Sequence, residues 1–176
     1  MHRHTLPLAA IAVLATAACA TPYEQEATEI GSAMIRDRSG NDVGTAMLYS
    51  QNGEVMVSVS LEGLSEGTHA VHLHTTGDCS ASDFTSAGGH LNPMGNQHGT
   101  QNPQGAHLGD LPNAEVSSAD IGTVSTTLRG SSATVIPQIF DADGTALVVH
   151  EGADDYMSDP AGAAGSRVAC GVFSRS

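Results

Sequence analysis

The chain has 176 residues, enough for one domain with a sizeable hydrophobic core. Its formal net charge is -13, from 19 acidic residues against six basic ones, all of which are arginines. Nucleic acids and anionic membrane surfaces repel so acidic a chain, which argues against both as binding partners. The lysine-free composition fits adaptation to high salt and a GC-rich genome equally well.

The chain begins with a predicted export signal over residues 1–19. A short basic start precedes an apolar run that is too short to span a bilayer and is typical of a secretory signal. Cys19 follows Thr-Ala-Ala, a pattern that resembles the end of a bacterial lipoprotein signal and predicts lipidation of Cys19. Ordinary cleavage near Ala18 or Ala20 is the alternative. Both predict export, and residues 20–27 then form a short polar tether.

The three cysteines of the chain are Cys19, Cys79 and Cys170. If Cys19 is lipidated or removed with the signal, Cys79 and Cys170 remain as a pair. In an oxidising compartment, such a pair predicts a disulfide. In the chain-entropy model, closing so long a loop contributes at most about 4–5 kcal/mol to stability.

From residue 28 onward the pattern predicts short β-strands and no amphipathic helix of useful length. Residues 44–50 and 54–61 alternate apolar and polar positions on either side of Asn52-Gly53, which is a strong hairpin signal. Further strand candidates are residues 121–128, 146–150 and 167–173. Many short strands with Gly-rich turns are typical of an antiparallel sandwich or barrel, here a single domain over 28–176.

Two segments interrupt the strand pattern. Residues 75–113 are rich in Gly, Asn, His and Pro, and residues 151–166 are acidic and rich in Gly and Ala. Long loops in a compact domain are usually functional or disordered. Disorder is the expectation for 151–166, whereas the histidines of 75–113 favour a functional loop.

Histidines are concentrated in the middle of the chain, where three fall within GTHAVHLHTTGDC. His72 and His74 lie two residues apart in a predicted strand, so both project from the same face and can bind one metal ion. His150, at the end of another predicted strand, is a candidate further imidazole. His69 has the opposite parity and is interpreted as a hydrogen-bonded structural histidine.

The long loop supplies a second candidate metal set. Its members are His90, His98, His107 and Asp110. Three imidazoles and a carboxylate suit a tetrahedral zinc ion, and four protein ligands imply a closed structural site.

Four sequence blocks together resemble copper/zinc superoxide dismutase of the bacterial exported type. They are GTHAVHLHTTGDC, AGGHLNPMGNQHG with HLGDLPN, LVVHEGADD and GSRVACGVF, and the likeness covers residues 28–173. This resemblance implies an all-β fold: an eight-stranded Greek-key antiparallel β-barrel or sandwich, with a long metal-binding loop and a second active-site loop.

The resemblance also implies a role for each site residue. The copper ligands are His72, His74, His90 and His150. The zinc ligands are His90, His98, His107 and Asp110, with the His90 imidazolate bridging the two metals. The supporting residues are Asp154, which links a ligand of each metal, Arg167 beside the open copper position, the structural His69, and the disulfide pair Cys79 and Cys170.

The implied activity is dismutation of superoxide to dioxygen and hydrogen peroxide, as antioxidant defence of the periplasm or cell envelope, by a homodimer or a monomer. Thr75 replaces a glutamate that many relatives carry. The lysine-free loop 151–166 predicts that the guidance of superoxide is weaker, or that it rests on Arg167 and other subunit surfaces. The alternatives are a non-catalytic metal-binding module on the same fold and a zinc-stabilised adhesion domain. All seven ligand positions and Arg167 are present, which favours the enzyme.

Overall fold

The computed structural model describes residues 26–176. The predicted signal over 1–19, the lipidation candidate Cys19 and most of the predicted tether over 20–27 lie outside the described residues. Within 26–176, no helix has the length and apolar character needed to cross a membrane.

The described residues form ten strands, one short 3-10 turn at Thr85–Ala87 and one helix. The strands in the first half are β1 Thr28–Asp37, β2 Asp42–Gln51, β3 Glu54–Glu62, β4 Gly67–His69 and β5 Val71–His74. Those in the second half are β6 Ala114–Val116, β7 Ile121–Thr127, β8 Ala146–His150, β9 Arg167–Val172 and β10 Ser174–Arg175. The helix, α1, covers Ser132–Ile139.

Eight of these strands form one curled antiparallel sheet. Seven follow the order β5-β8-β9-β1-β2-β3-β7, and β10 pairs with β1. Strands β4 and β6 form a separate antiparallel pair. The predicted all-β antiparallel fold is confirmed, and strands that are distant in the chain, such as β5 and β8, become neighbours.

The β2–β3 hairpin forms where the sequence predicts it. Asn52 and Gly53 have φ angles of 52° and 81°, the left-handed conformation that a two-residue type I′ turn requires at both positions. The turn sets Gln51 opposite Glu54 and fixes the register of the two strands. Alternate residues of β3, including Val57, then face a continuous apolar core.

Two expectations about local structure are wrong. Helix α1 forms although the sequence pattern predicts no amphipathic helix of useful length, because two turns that bury only Val135 and Ile139 and contain Pro137 leave almost no periodic signal. Residues 151–166 are expected to be disordered, but backbone hydrogen bonds cross this loop. They join Glu151 to Ser166 at 2.8 Å and Gly152 to Ala164 at 3.0 Å.

Candidate metal centre

The long loop is held against strand β5 by backbone hydrogen bonds. The N–H of Leu73 donates to the loop at 2.9 Å, and its carbonyl accepts from the loop at 2.8 Å. Isolated β-bridges form between His72 and Asp110 and between His74 and His90. The loop therefore extends the sheet and brings two of its candidate ligands beside the histidine pair of β5.

The first group of candidate ligands is a set of four imidazoles. It comprises His72, His74, His90 and His150, each of which offers one nitrogen within 4.8 Å of the others. Strand β8 delivers His150 because it pairs directly with β5. One ring nitrogen of each of the four is buried with no hydrogen-bond partner: His72 Nδ1, His74 Nε2, His90 Nε2 and His150 Nε2. Buried polar atoms without partners are rare, so four of them on one group fit a bound cation.

The opposite ring nitrogens of two of these imidazoles are fixed by the backbone. His74 Nδ1 donates to the carbonyl of Gly88 at 3.0 Å. His150 Nδ1 donates to the carbonyl of Gly165 at 3.1 Å. Each bond puts the proton on Nδ1, which leaves the lone pair of the unpartnered Nε2 free to bind metal.

The second group converges on one carboxylate oxygen. Asp110 Oδ1 lies 2.9 Å from Nδ1 of His90 and 3.1 Å from Nδ1 of both His98 and His107. The other oxygen, Oδ2, accepts the backbone N–H groups of Gly99 and His107, both at 2.9 Å. Three imidazole nitrogens and one carboxylate thus face a single point, a donor set that suits zinc.

At this second site, four side chains have ligand atoms within 4.8 Å of one another, and they differ in one member from the predicted zinc ligands. They are His72, His90, His98 and Asp110, so His72 takes the place of His107. His107 Nδ1 nevertheless lies 3.4 Å from His90 Nδ1 and 3.1 Å from Asp110 Oδ1. His72 Nε2 is already bonded to Asp154, and His72 Nδ1 belongs to the first group.

Asp154 forms a hydrogen bond with one histidine of each group. Its Oδ2 accepts from His72 Nε2 and its Oδ1 from His98 Nε2, both at 2.9 Å, and the carboxylate is buried. Asn113 holds the backbone of Asp154 with two hydrogen bonds, at 2.9 and 3.0 Å. The chain therefore fixes one imidazole of each group through a single side chain.

Burial keeps the histidines of the first group neutral. It lowers the pKa of His72 to about 3, of His74 to about 2 and of His150 to about 4. Burial also lowers the pKa of His90. Only a neutral imidazole has a lone pair for a metal, so at neutral pH these rings are ready to bind one.

The carboxylates of Asp110 and Asp154 carry the negative charge of the site. Burial raises the pKa of Asp110 and of Asp154, but hydrogen bonds from the surrounding histidines outweigh it and hold both well below the usual range. For His98 burial lowers the pKa, but the bonds to the same two carboxylates outweigh it and raise the value to about 9. The site without metal thus draws a proton to His98, and a cation can take its place.

A cleft of about 370 Å³ gives access to the first group. Arg167 lines it, and its guanidinium donates to the carbonyls of Phe84 at 2.6 Å and Gly88 at 2.7 Å. The predicted disulfide between Cys79 and Cys170 is present and joins the loop of residues 75–113 to β9. Arg167 stays charged at neutral pH, so a small anion in the cleft meets a fixed positive charge beside the imidazoles.

A family model described as copper/zinc superoxide dismutase (SODC) matches residues 43–173. The chain belongs to the copper/zinc superoxide dismutase family. Superoxide dismutase (Cu-Zn) 2 of Aquifex aeolicus is 41% identical over 146 residues, which cover 80% of this chain and 84% of that one. The Cu-Zn superoxide dismutase of Caulobacter vibrioides is 37% identical over 148 residues, covering 81% and 84%.

Solved structures agree with the family assignment. A SOD-like protein from Bacillus subtilis superposes with a TM-score of 0.74 at 34% identity and covers 80% of this chain and 96% of that one. The chain is therefore an oxidoreductase with superoxide as its substrate and copper and zinc as its metals.

Three residues that contact the centre were not anticipated from the sequence. Asn113 holds Asp154, Arg129 donates to the carbonyl of His107, and Asp159 accepts the backbone N–H of His98. The contact of Asp159 spans 61 residues of chain. In the sequence these residues look like ordinary polar positions in loops, and no spacing rule marks them.

Proposed function

We propose that the two groups hold one copper and one zinc ion, bridged by His90. Copper would bind at His72 Nδ1 and at Nε2 of His74, His90 and His150. Zinc would bind at Nδ1 of His90, His98 and His107 and at the carboxylate of Asp110. The observation that carries this proposal is that His90 presents its unpartnered Nε2 to the first group and its Nδ1 to Asp110.

The reaction converts two superoxide ions and two protons into dioxygen and hydrogen peroxide. Copper supplies one-electron redox chemistry when bound, whereas zinc has none. Arg167 attracts the anion into the cleft through its fixed charge. Nε2 of His90 would bind either copper or a proton, never both at once, and in its protonated form it can donate that proton to the departing peroxide, which leaves far more readily once protonated.

The surrounding side chains keep these donors in place. Asp154 orients His72 and His98 through its two carboxylate oxygens. His69 lies outside both groups, with Nδ1 2.7 Å from the carbonyl oxygen of His150 and Nε2 2.9 Å from that of Ser65. We assign His69 a structural role at the end of β8.

We also propose that the protein acts in the cell envelope. Disulfides such as Cys79–Cys170 persist in oxidising compartments, which supports export. The proposed segments are a signal over 1–19 with Cys19 as the lipidation candidate, a tether over 20–27 and the enzyme over 28–176. Whether the enzyme is a homodimer or a monomer stays a prediction.

Two single substitutions test the metal assignment. In the full chain produced with copper and zinc, His74→Ala is expected to keep zinc, lose copper and lose nearly all dismutase activity. The matched variant His107→Ala is expected to lose zinc and keep copper. Metal analysis per chain and a superoxide assay on the same samples measure both.

The proposal is wrong if the wild-type chain binds zinc but no copper after copper loading. It is equally wrong if His74→Ala releases zinc in place of copper, because His74 offers no ligand atom to the second group.

A further inference from the structure

Asp159 connects the loop of residues 151–166 to the metal-binding loop. Its Oδ1 accepts the backbone N–H of His98 at 2.6 Å. The ring of His98 is fully buried and bonded at both nitrogens, to Asp110 and to Asp154. Asp159 is itself exposed, so it fixes the backbone of His98 from the solvent side.

Asp159 also lines the cleft that superoxide enters. Of the described residues that line this cleft, Asp159 is the only carboxylate and Arg167 the only residue with a permanent positive charge. The Debye length is about 8 Å at physiological ionic strength, so charges inside the cleft influence an entering anion more than most of the remaining surface does. The charge of Asp159 therefore opposes the attraction that Arg167 exerts.

We propose that Asp159 is a positioning residue for the zinc site that at the same time limits the capture of superoxide. Its hydrogen bond keeps the backbone of His98 in place, and its negative charge lowers the rate at which the anion reaches Arg167. The first part rests on the proposed assignment of His98 to zinc. A neutral hydrogen-bond acceptor at this position would keep the anchor without the repulsion.

Asp159→Asn separates the two effects, because an amide oxygen still accepts the His98 N–H but carries no charge. Its kcat/KM is expected to rise about two- to fivefold at low ionic strength, since superoxide dismutases are known to work near the diffusional ceiling with electrostatic guidance. The gain should vanish near 1 M salt, where the Debye length is about 3 Å. Its zinc release to a chelator should match that of the wild type.

Asp159→Ala removes the acceptor as well as the charge. It should show the same salt-dependent gain per zinc-loaded chain but release zinc about tenfold faster, in line with the loss of an outer hydrogen bond to a ligand. Glu54→Gln removes an equal charge outside the cleft and should match the wild type in both measurements.

A wild-type salt profile in Asp159→Asn overturns the proposed effect on capture, and wild-type zinc release in Asp159→Ala overturns the proposed anchor. Failure of the metal assignment is distinguishable, because the wild-type chain would then lack zinc or activity before any change at Asp159.

Discussion

For every proposed ligand histidine except His90, a hydrogen bond to one ring nitrogen decides which nitrogen is left to bind metal. Asp154 does this for two rings at once, His72 and His98. Both rings donate to its carboxylate, so the residue must accept twice. A side chain of the same shape that accepts only once would leave one imidazole without its partner.

Asp154→Asn is therefore expected to weaken metal binding about 10- to 100-fold, because the amide group cannot accept from both rings. Titration against chelators of known affinity measures the loss at each site. Asp155→Asn is the matched control, since the hydrogen bonds of its carboxylate within residues 26–176 go to the nearby residues Met157 and Ser158. Unchanged metal affinity in Asp154→Asn would show that the hydrogen bonds of Asp154 do not orient His72 and His98.

At the scale of elements, the disulfide ties β9, which carries Arg167, to the loop that contains the 3-10 turn. Cys170 lies in β9 with Arg167, and Cys79 lies in the loop whose carbonyls at Phe84 and Gly88 hold the guanidinium. The covalent link and the two hydrogen bonds join the same pair of segments, so losing the first should loosen the second.

Replacing both cysteines by serine is expected to lower the free energy of unfolding by about 2–4 kcal/mol. It should also lower kcat/KM at unchanged metal content, because Arg167 loses the fixed position of its anchors. The same double change in an Arg167→Ser background should cause no further loss of kcat/KM. Additive losses in that cycle would show that the disulfide affects activity by another route.

Elements with a strong local period were predictable from the sequence. The alternation in β3, the Asn52-Gly53 turn and the cysteine pair all appear as expected. Helix α1 and the order of residues 151–166 were not, because their stability comes from contacts with distant parts of the chain. The same holds for Asn113, whose bonds to Asp154 span 41 residues.

For the whole molecule, the metal centre is where two loops and two strands meet. Its residues come from β5, from the loop over 75–113, from the end of β8 and from the loop over 151–166. Without metal, four imidazole nitrogens stay buried without partners. Metal binding energy should therefore appear as folding stability.

Removing both metals is expected to lower the melting temperature by about 20 °C. Each ion, present at about 1,000 times its dissociation constant, adds about 4 kcal/mol, and a domain of this size shifts by about 2–4 °C per kcal/mol. Calorimetry with and without a chelator measures the shift, and adding zinc back alone should restore about half of it. Equal melting temperatures with and without metal would mean that the loops fold independently of the ions.

Strand β5 ends the main sheet, and the metal-binding loop is paired along its outer side through the backbone of Leu73. An uncovered edge strand offers free N–H and C=O groups to the next chain and invites aggregation. The stretch from Val71 to His74 is fully buried, so it is poorly suited to exposure. The loop that carries the ligands also covers this edge, so we expect loss of the ions to loosen that cover and to favour self-association.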